Sequence, residues 1–95
     1  MYSWLHDWSL RMGQIRKSAV QIRFEILEFL FFNKPQLRTG VWRKSTSLSY
    51  DDFLKHLAYL EEKHLVRETE QGFCLLTEEG RTLYLGLRKS LPSIL

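Results

Sequence analysis

The most constraining feature of this chain is the stretch TGVWRKSTSLSYDDFLKHLAYLEEKHLV, residues 39–66, which has the pattern of two helices joined by a tight polar turn. In its first half Val41 is apolar while Arg43 and Lys44 seek solvent. Ser45, Thr46, Ser47 and Leu48 then carry a turn in which the leucine plugs the core. Ser49 opens the second helix, its hydroxyl placed to cap first-turn N–H groups, with Asp51 and Asp52 favoured by the positive end of the helix dipole. Tyr50, Phe53, Leu54, Leu57 and Leu60 recur at steps of three and four on one side. Asp51, Asp52, Lys55, Tyr59, Glu62 and Lys63 fall on the other. One face of this helix-turn-helix packs, and the other is available to read something.

Trp4, Trp8 and Met12, with Leu5 beside them, predict a short amphipathic helix up to Gly13. Ser18 and Gln21 form a capping-box pair for a helix continuing to Phe32, with Ile22, Ile26, Phe29 and Leu30 on one face. Phe24, Leu27, Phe31 and Phe32 widen its apolar surface, which implies contact on a second side, with the N-terminal helix or a partner subunit. Asn33 and Pro35 end it. Residues 36–38 suffice for one bridge of strand, and Thr39 is the expected cap of the next helix. Beyond the central motif, VRE and FCLL flank Thr69-Glu70-Gln71-Gly72, a hairpin whose glycine suits a positive φ. Thr77 caps a last helix, in which Gly80 permits close approach to a neighbour. Leu83, Leu87 and Leu91 form a stripe along it until Pro92 stops it.

Helix, short strand, helix-turn-helix, hairpin, helix is the order of a winged helix. The expected fold is mainly α with a small β-hairpin (α+β): an N-terminal helical extension over residues 1–17, a winged helix-turn-helix core over 18–77 and a C-terminal helix over 78–95. At 95 residues the chain has room for one modest core. A mean hydropathy of −0.27 and the absence of a long apolar run argue against membrane insertion, which makes the cytoplasm the expected location. The lone Cys74 lies between apolar neighbours as a small buried residue. His56 and His64 stand eight residues apart with His6 remote, and no metal-ligand spacing, phosphate loop or nucleophile motif is present, so neither an enzyme, a metal nor a cofactor is expected. His56, on the flank of the second helix, is a candidate for tuning binding between about pH 5 and 8.

The net charge is +3, but its distribution is more telling than its sum. Residues 8–24 and 29–50 contain arginines and lysines and no carboxylate, whereas residues 51–80 carry Asp51, Asp52, Glu61, Glu62, Glu68, Glu70, Glu78 and Glu79 against Lys55, Lys63 and Arg67. The basic half is suited to a polyanion.

The central motif followed by GFCLLTEEG resembles the small archaeal winged-helix DNA-binding proteins, in which a T-x-V/I helix, an LSY turn, an L-x-x-L-x-x-x-x-L-V/I run and an LTE-x-G entry to the last helix recur. The resemblance covers residues 18–87. It implies a chromatin-associated or transcriptional-regulator protein, nucleoid-associated, that binds double-stranded DNA as a homodimer through its terminal helices. Here the last helix is short and ends in proline, which leaves the tryptophan-bearing segment to take part, with Trp4, Trp8, Leu83, Leu87 and Leu91 as the expected dimer interface. With the helix from Ser49 in the major groove, Arg38, Thr39, Arg43 and Lys44 would meet phosphates. Ser45, Thr46, Ser47 and Ser49 would donate hydroxyl hydrogen bonds near the backbone, and Tyr50, Asp51, Lys55 and Tyr59 would face base edges. In the wing Arg67, Gln71 and Gly72 are the candidate contacts, outweighed by Glu68 and Glu70. Trp42 either packs or stacks on a partner. The reading from another class is a protein-interaction module, motivated by the acidic half from Asp51 to Glu79.

Overall fold

Ser18 caps the first helix: its Oγ accepts a hydrogen bond from the Gln21 N–H at 3.1 Å, starting α1 (Ala19–Phe32). The computed structural model describes residues 17–94, and side chains through residue 89. The amphipathic helix expected over the first dozen residues, with Trp4 and Trp8, lies outside the described residues, as does the side chain of Leu91. After α1 come β1 (Gln36–Leu37), α2 (Arg38–Ser45), α3 (Tyr50–Glu62), β2 (Val66–Glu68), β3 (Phe73–Leu76) and α4 (Glu78–Ile94).

At the end of α1 the Asn33 side-chain amide donates to the Phe29 carbonyl at 2.8 Å, satisfying one of the carbonyls a helix end leaves unpaired. β1 then joins an antiparallel sheet of order β1-β3-β2, pairing Gln36 with Cys74 and Leu37 with Phe73. β2 pairs on the other side of β3, Val66 with Leu76 and Glu68 with Cys74. In the hairpin turn the Gly72 N–H donates to the Thr69 carbonyl at 2.9 Å, and Gly72 has φ 92°, the left-handed conformation expected of it.

Every element except β1 contributes to the buried core: Ile22, Ile26, Leu27 and Leu30 from α1, Val41 from α2, Phe53, Leu57 and Leu60 from α3, Val66, Cys74 and Leu76 from the sheet, and Tyr84 from α4. Tyr84 explains the breadth of the apolar surface on α1. Its ring, fully buried, lies 5.2 Å from Phe24 and 4.8 Å from Phe31, and its hydroxyl donates to Glu28 at 3.1 Å. A second side of α1 is thus covered by α4.

Two expected boundaries move. α2 begins at Arg38 with Leu37 at the cap position, so Thr39 sits inside the first turn and caps nothing. The chain passes directly from strand to helix, leaving no residue for a side-chain cap. Pro92 does not stop α4, which continues to Ile94, two residues further and too few to form another turn.

α3 leaves through His64, a non-glycine residue at φ 62°, whose N–H donates to the Glu61 carbonyl at 3.0 Å. Thr77 ties the next helix to this exit. Its N–H donates to the Leu65 carbonyl at 3.0 Å, its hydroxyl lies 2.6 Å from the His64 carbonyl, and its Oγ1 accepts from the Gly80 N–H at 3.0 Å. Gly80 is required here, because a Cβ at this position would collide with the Leu65 carbonyl oxygen.

Candidate nucleic-acid interface

The turn between α2 and α3 is held from within. The Trp42 indole N–H donates to the Leu48 carbonyl at 2.7 Å, while the indole meets the Tyr50 ring edge-on at 5.1 Å. Trp42 is therefore a packing residue. Ser45 and Thr46 give their hydroxyl protons to the carbonyls of Val41 and Trp42, at 2.6 and 2.9 Å. Both hydroxyls turn back onto the carbonyl four residues earlier, and the Trp42 carbonyl also accepts from the Thr46 N–H at 3.2 Å. The hydroxyl protons expected to serve a ligand are here engaged within α2. Ser49 Oγ is the cap of α3, accepting from the Asp52 N–H at 3.2 Å, and Ser47 is exposed.

Tyr50 is also redirected. Its ring packs between Trp42 and Phe53 against the core, facing inward instead of toward base edges. The periodicity that put it on the apolar stripe outweighs its polar hydroxyl. Asp51 and Lys55 are exposed on the outer face of α3, where Lys55 is 81% exposed and 3.9 Å from Asp52 Oδ1. Tyr59 shares that side, but the Arg23 guanidinium from α1 lies 3.6 Å over its ring and Lys63 lies 5.5 Å from it.

The cations of α2 divide into two kinds. Arg38 is held by Glu68 through two bonds, Nε to Oε2 at 2.7 Å and Nη2 to Oε1 at 2.8 Å. That pairing raises its pKa further and commits its charge to the wing, so Arg38 is not the open phosphate contact expected of it. Arg43 and Lys44, in the last turn of α2, are exposed; Arg43 lies 5.6 Å from the Trp42 ring, Lys44 donates to Gln36 Oε1 at 3.3 Å, and among the described residues neither meets a carboxylate. Thr39 is exposed beside them. In the wing Arg67 and Gln71 are exposed and Gly72 forms the turn. Leu83 is 41% exposed on α4, with Leu87 half-buried.

Cys74 is fully buried, and desolvation, with Glu68 and Glu61 nearby, pushes its thiol up to about 11, so it holds its proton. Burial, aided by the Arg23 charge and opposed by Asp52, lowers the pKa of His56, whose Nδ1 accepts from Arg23 Nε at 3.3 Å. Glu61, desolvated and near Glu68, is raised. Among the described residues no cluster of side chains could hold a metal ion, and no helix is long and apolar enough to cross a membrane.

Residues 16–91 match the family model described as winged helix-turn-helix. The chain belongs to the winged helix-turn-helix family. No curated protein matches it in sequence. In winged helix-turn-helix terms α2 and α3 are the helix-turn-helix and β2–β3 the wing, and membership points to DNA binding in general. The partners that most alter the site are Glu68 for Arg38 and Arg23 for Tyr59, 30 and 36 residues apart in sequence. Neither pairing has a local sequence signature.

Proposed function

We propose that this protein binds double-stranded DNA as a homodimer, with α3 in the major groove, and acts as a transcriptional regulator or chromatin-associated protein. The observation that carries the reading is the exposure of Arg43 and Lys44 beside a turn fixed by the Trp42–Leu48 hydrogen bond. A rigid turn holds both cations at the start of the reading helix, where phosphates flank the groove. Asp51 and Asp52 oppose the backbone electrostatically, so affinity rests on α2 and not on the first turn of α3. Dimerisation is supported by the seam between α1 and α4, where Val20 (66% exposed), Phe24 and Leu87 line a groove of about 330 Å³ and Leu83 is open nearby.

The test is fluorescence anisotropy of a labelled random-sequence duplex at low and moderate salt, with an Arg43→Ala/Lys44→Ala variant alongside. Binding that weakens with salt and weakens further in the variant is expected. Equal binding by the variant refutes the assignment, and sedimentation as a monomer at micromolar concentration refutes the dimer. The second reading, a protein-interaction module, is favoured by the Arg38–Glu68 pair, which engages one cation of α2 within the protein. Absence of binding at low salt would favour it.

A further inference from the structure

The described surface of α3 has a second basic edge, away from α2. Lys55, Tyr59 and Lys63 follow one another at steps of four along the helix, which places them in one stripe. Arg23 reaches this stripe from α1: its guanidinium lies 3.6 Å above the Tyr59 ring, and its Nε donates to His56 Nδ1 at 3.3 Å. Lys63 Nζ lies 5.5 Å from the same ring. Among the described residues no carboxylate forms an ion pair with Arg23 or Lys63; Asp51 and Glu62 share the outer side of α3 with this stripe, and Asp52 lies near His56 and 3.9 Å from Lys55.

Two cations gathered on one aromatic ring make a local positive patch suited to an anion. Cation–π contact holds a guanidinium at low entropic cost while leaving its N–H groups able to donate. The major groove is about 12 Å wide, and a helix with its side chains is about 10–12 Å across. A helix seated there has a sugar-phosphate strand along each flank. Arg43 and Lys44 serve one strand from α2, and the α1 flank must meet the other. We infer that Arg23 and Lys63, gathered on the Tyr59 ring, form a second phosphate clamp that grips the DNA strand opposite the one met by Arg43 and Lys44. Tyr59 is then the platform for the clamp and not a reader of base edges. His56, through Nδ1, positions Arg23.

This inference rests on the DNA-binding reading, and its test separates the two. An Arg23→Gln/Lys63→Gln variant of the full chain is titrated against the random-sequence duplex across a salt series, with Arg23→Lys/Lys63→Arg as the charge-conserving control. Each phosphate contact contributes about 0.9 to the slope of log affinity against log salt. The glutamine variant should therefore lose nearly two units of slope, and its fall in affinity between about 50 and 200 mM salt should be roughly tenfold smaller than that of the wild type. The control should keep the wild-type slope. A merely structural role would lower the melting temperature and leave the slope unchanged. If the double variant unfolds, Lys63→Gln alone, at an exposed site, should still lose about one unit. An unchanged slope in a folded variant overturns the clamp while the function stands; no binding by the wild type overturns both.

Discussion

The same substitution at two glycines of α4 should have opposite effects. At Gly80 a Cβ would overlap the Leu65 carbonyl oxygen and stand 2.8 Å from Leu76 Cδ1 and 3.0 Å from the Leu65 carbonyl carbon. At Gly86 it would meet nothing within 4 Å. Alanine gains about 1 kcal/mol over glycine in a helix interior. Against this, forcing an extra carbon into a packed site costs about 1–3 kcal/mol, and a rigid backbone partner puts Gly80 at or above the upper end. Leu65 cannot move easily, because its carbonyl is also the acceptor for Thr77. The net loss for Gly80→Ala is about 2 kcal/mol, which for a domain of this size lowers the melting temperature by roughly 8–16 °C. Gly86→Ala should raise it by about 4–8 °C. Thermal melts followed by far-ultraviolet circular dichroism read both shifts, and urea midpoints at unchanged slope check them. A Gly80→Ala protein melting at or above wild type would refute the close approach of α4 to the exit of α3.

Glu68→Gln removes the charge that holds Arg38 and preserves the shape. Both side chains are partly exposed, so stability should fall by only about 0.5–1 kcal/mol, while the released Arg38 should tighten duplex binding several-fold at low salt. Affinity equal to wild type in the same anisotropy titration would show that Glu68 withholds nothing. His56 is held below its ordinary value of about 6.5, so on acidification the unfolded chain takes up the proton first. Its contribution to stability is fully present above about pH 6.5 and is lost as pH falls through the lower folded pKa. Melting curves of wild type and His56→Gln should accordingly converge between about pH 7 and 5, and parallel curves would contradict the assignment.

What was legible in the sequence was local. The caps at Ser18, Ser49 and Thr77 each serve an N–H three residues on, and the left-handed Gly72 and the α3 stripe likewise need only near neighbours in the chain. Gly80 was legible because a glycine in a helix's first turn has few purposes other than close approach. What escaped depends on partners far along the chain. Arg38 looks like an open cation until Glu68 is brought beside it, and Tyr59 looks like a reading residue until α1 lays Arg23 across it. The leucines of α4 drew attention by their repeat, yet the residue that fills the core is their neighbour Tyr84, whose hydroxyl is satisfied by a glutamate 56 positions away. His64 at φ 62° gave no sign, since glycine is the usual mark of a left-handed helix exit and few histidines, though enriched there among non-glycine residues, adopt it.

The bonds from Thr77 to the carbonyls of His64 and Leu65 leave no slack between α3 and α4. In a homodimer joined through α4, the distance between the two DNA-reading helices is then a property of the fold and not of a linker. Such a protein works as a fixed ruler. It would accept paired half-sites at one spacing, set by whole turns of the duplex, and discriminate against the same half-sites shifted by a few base pairs.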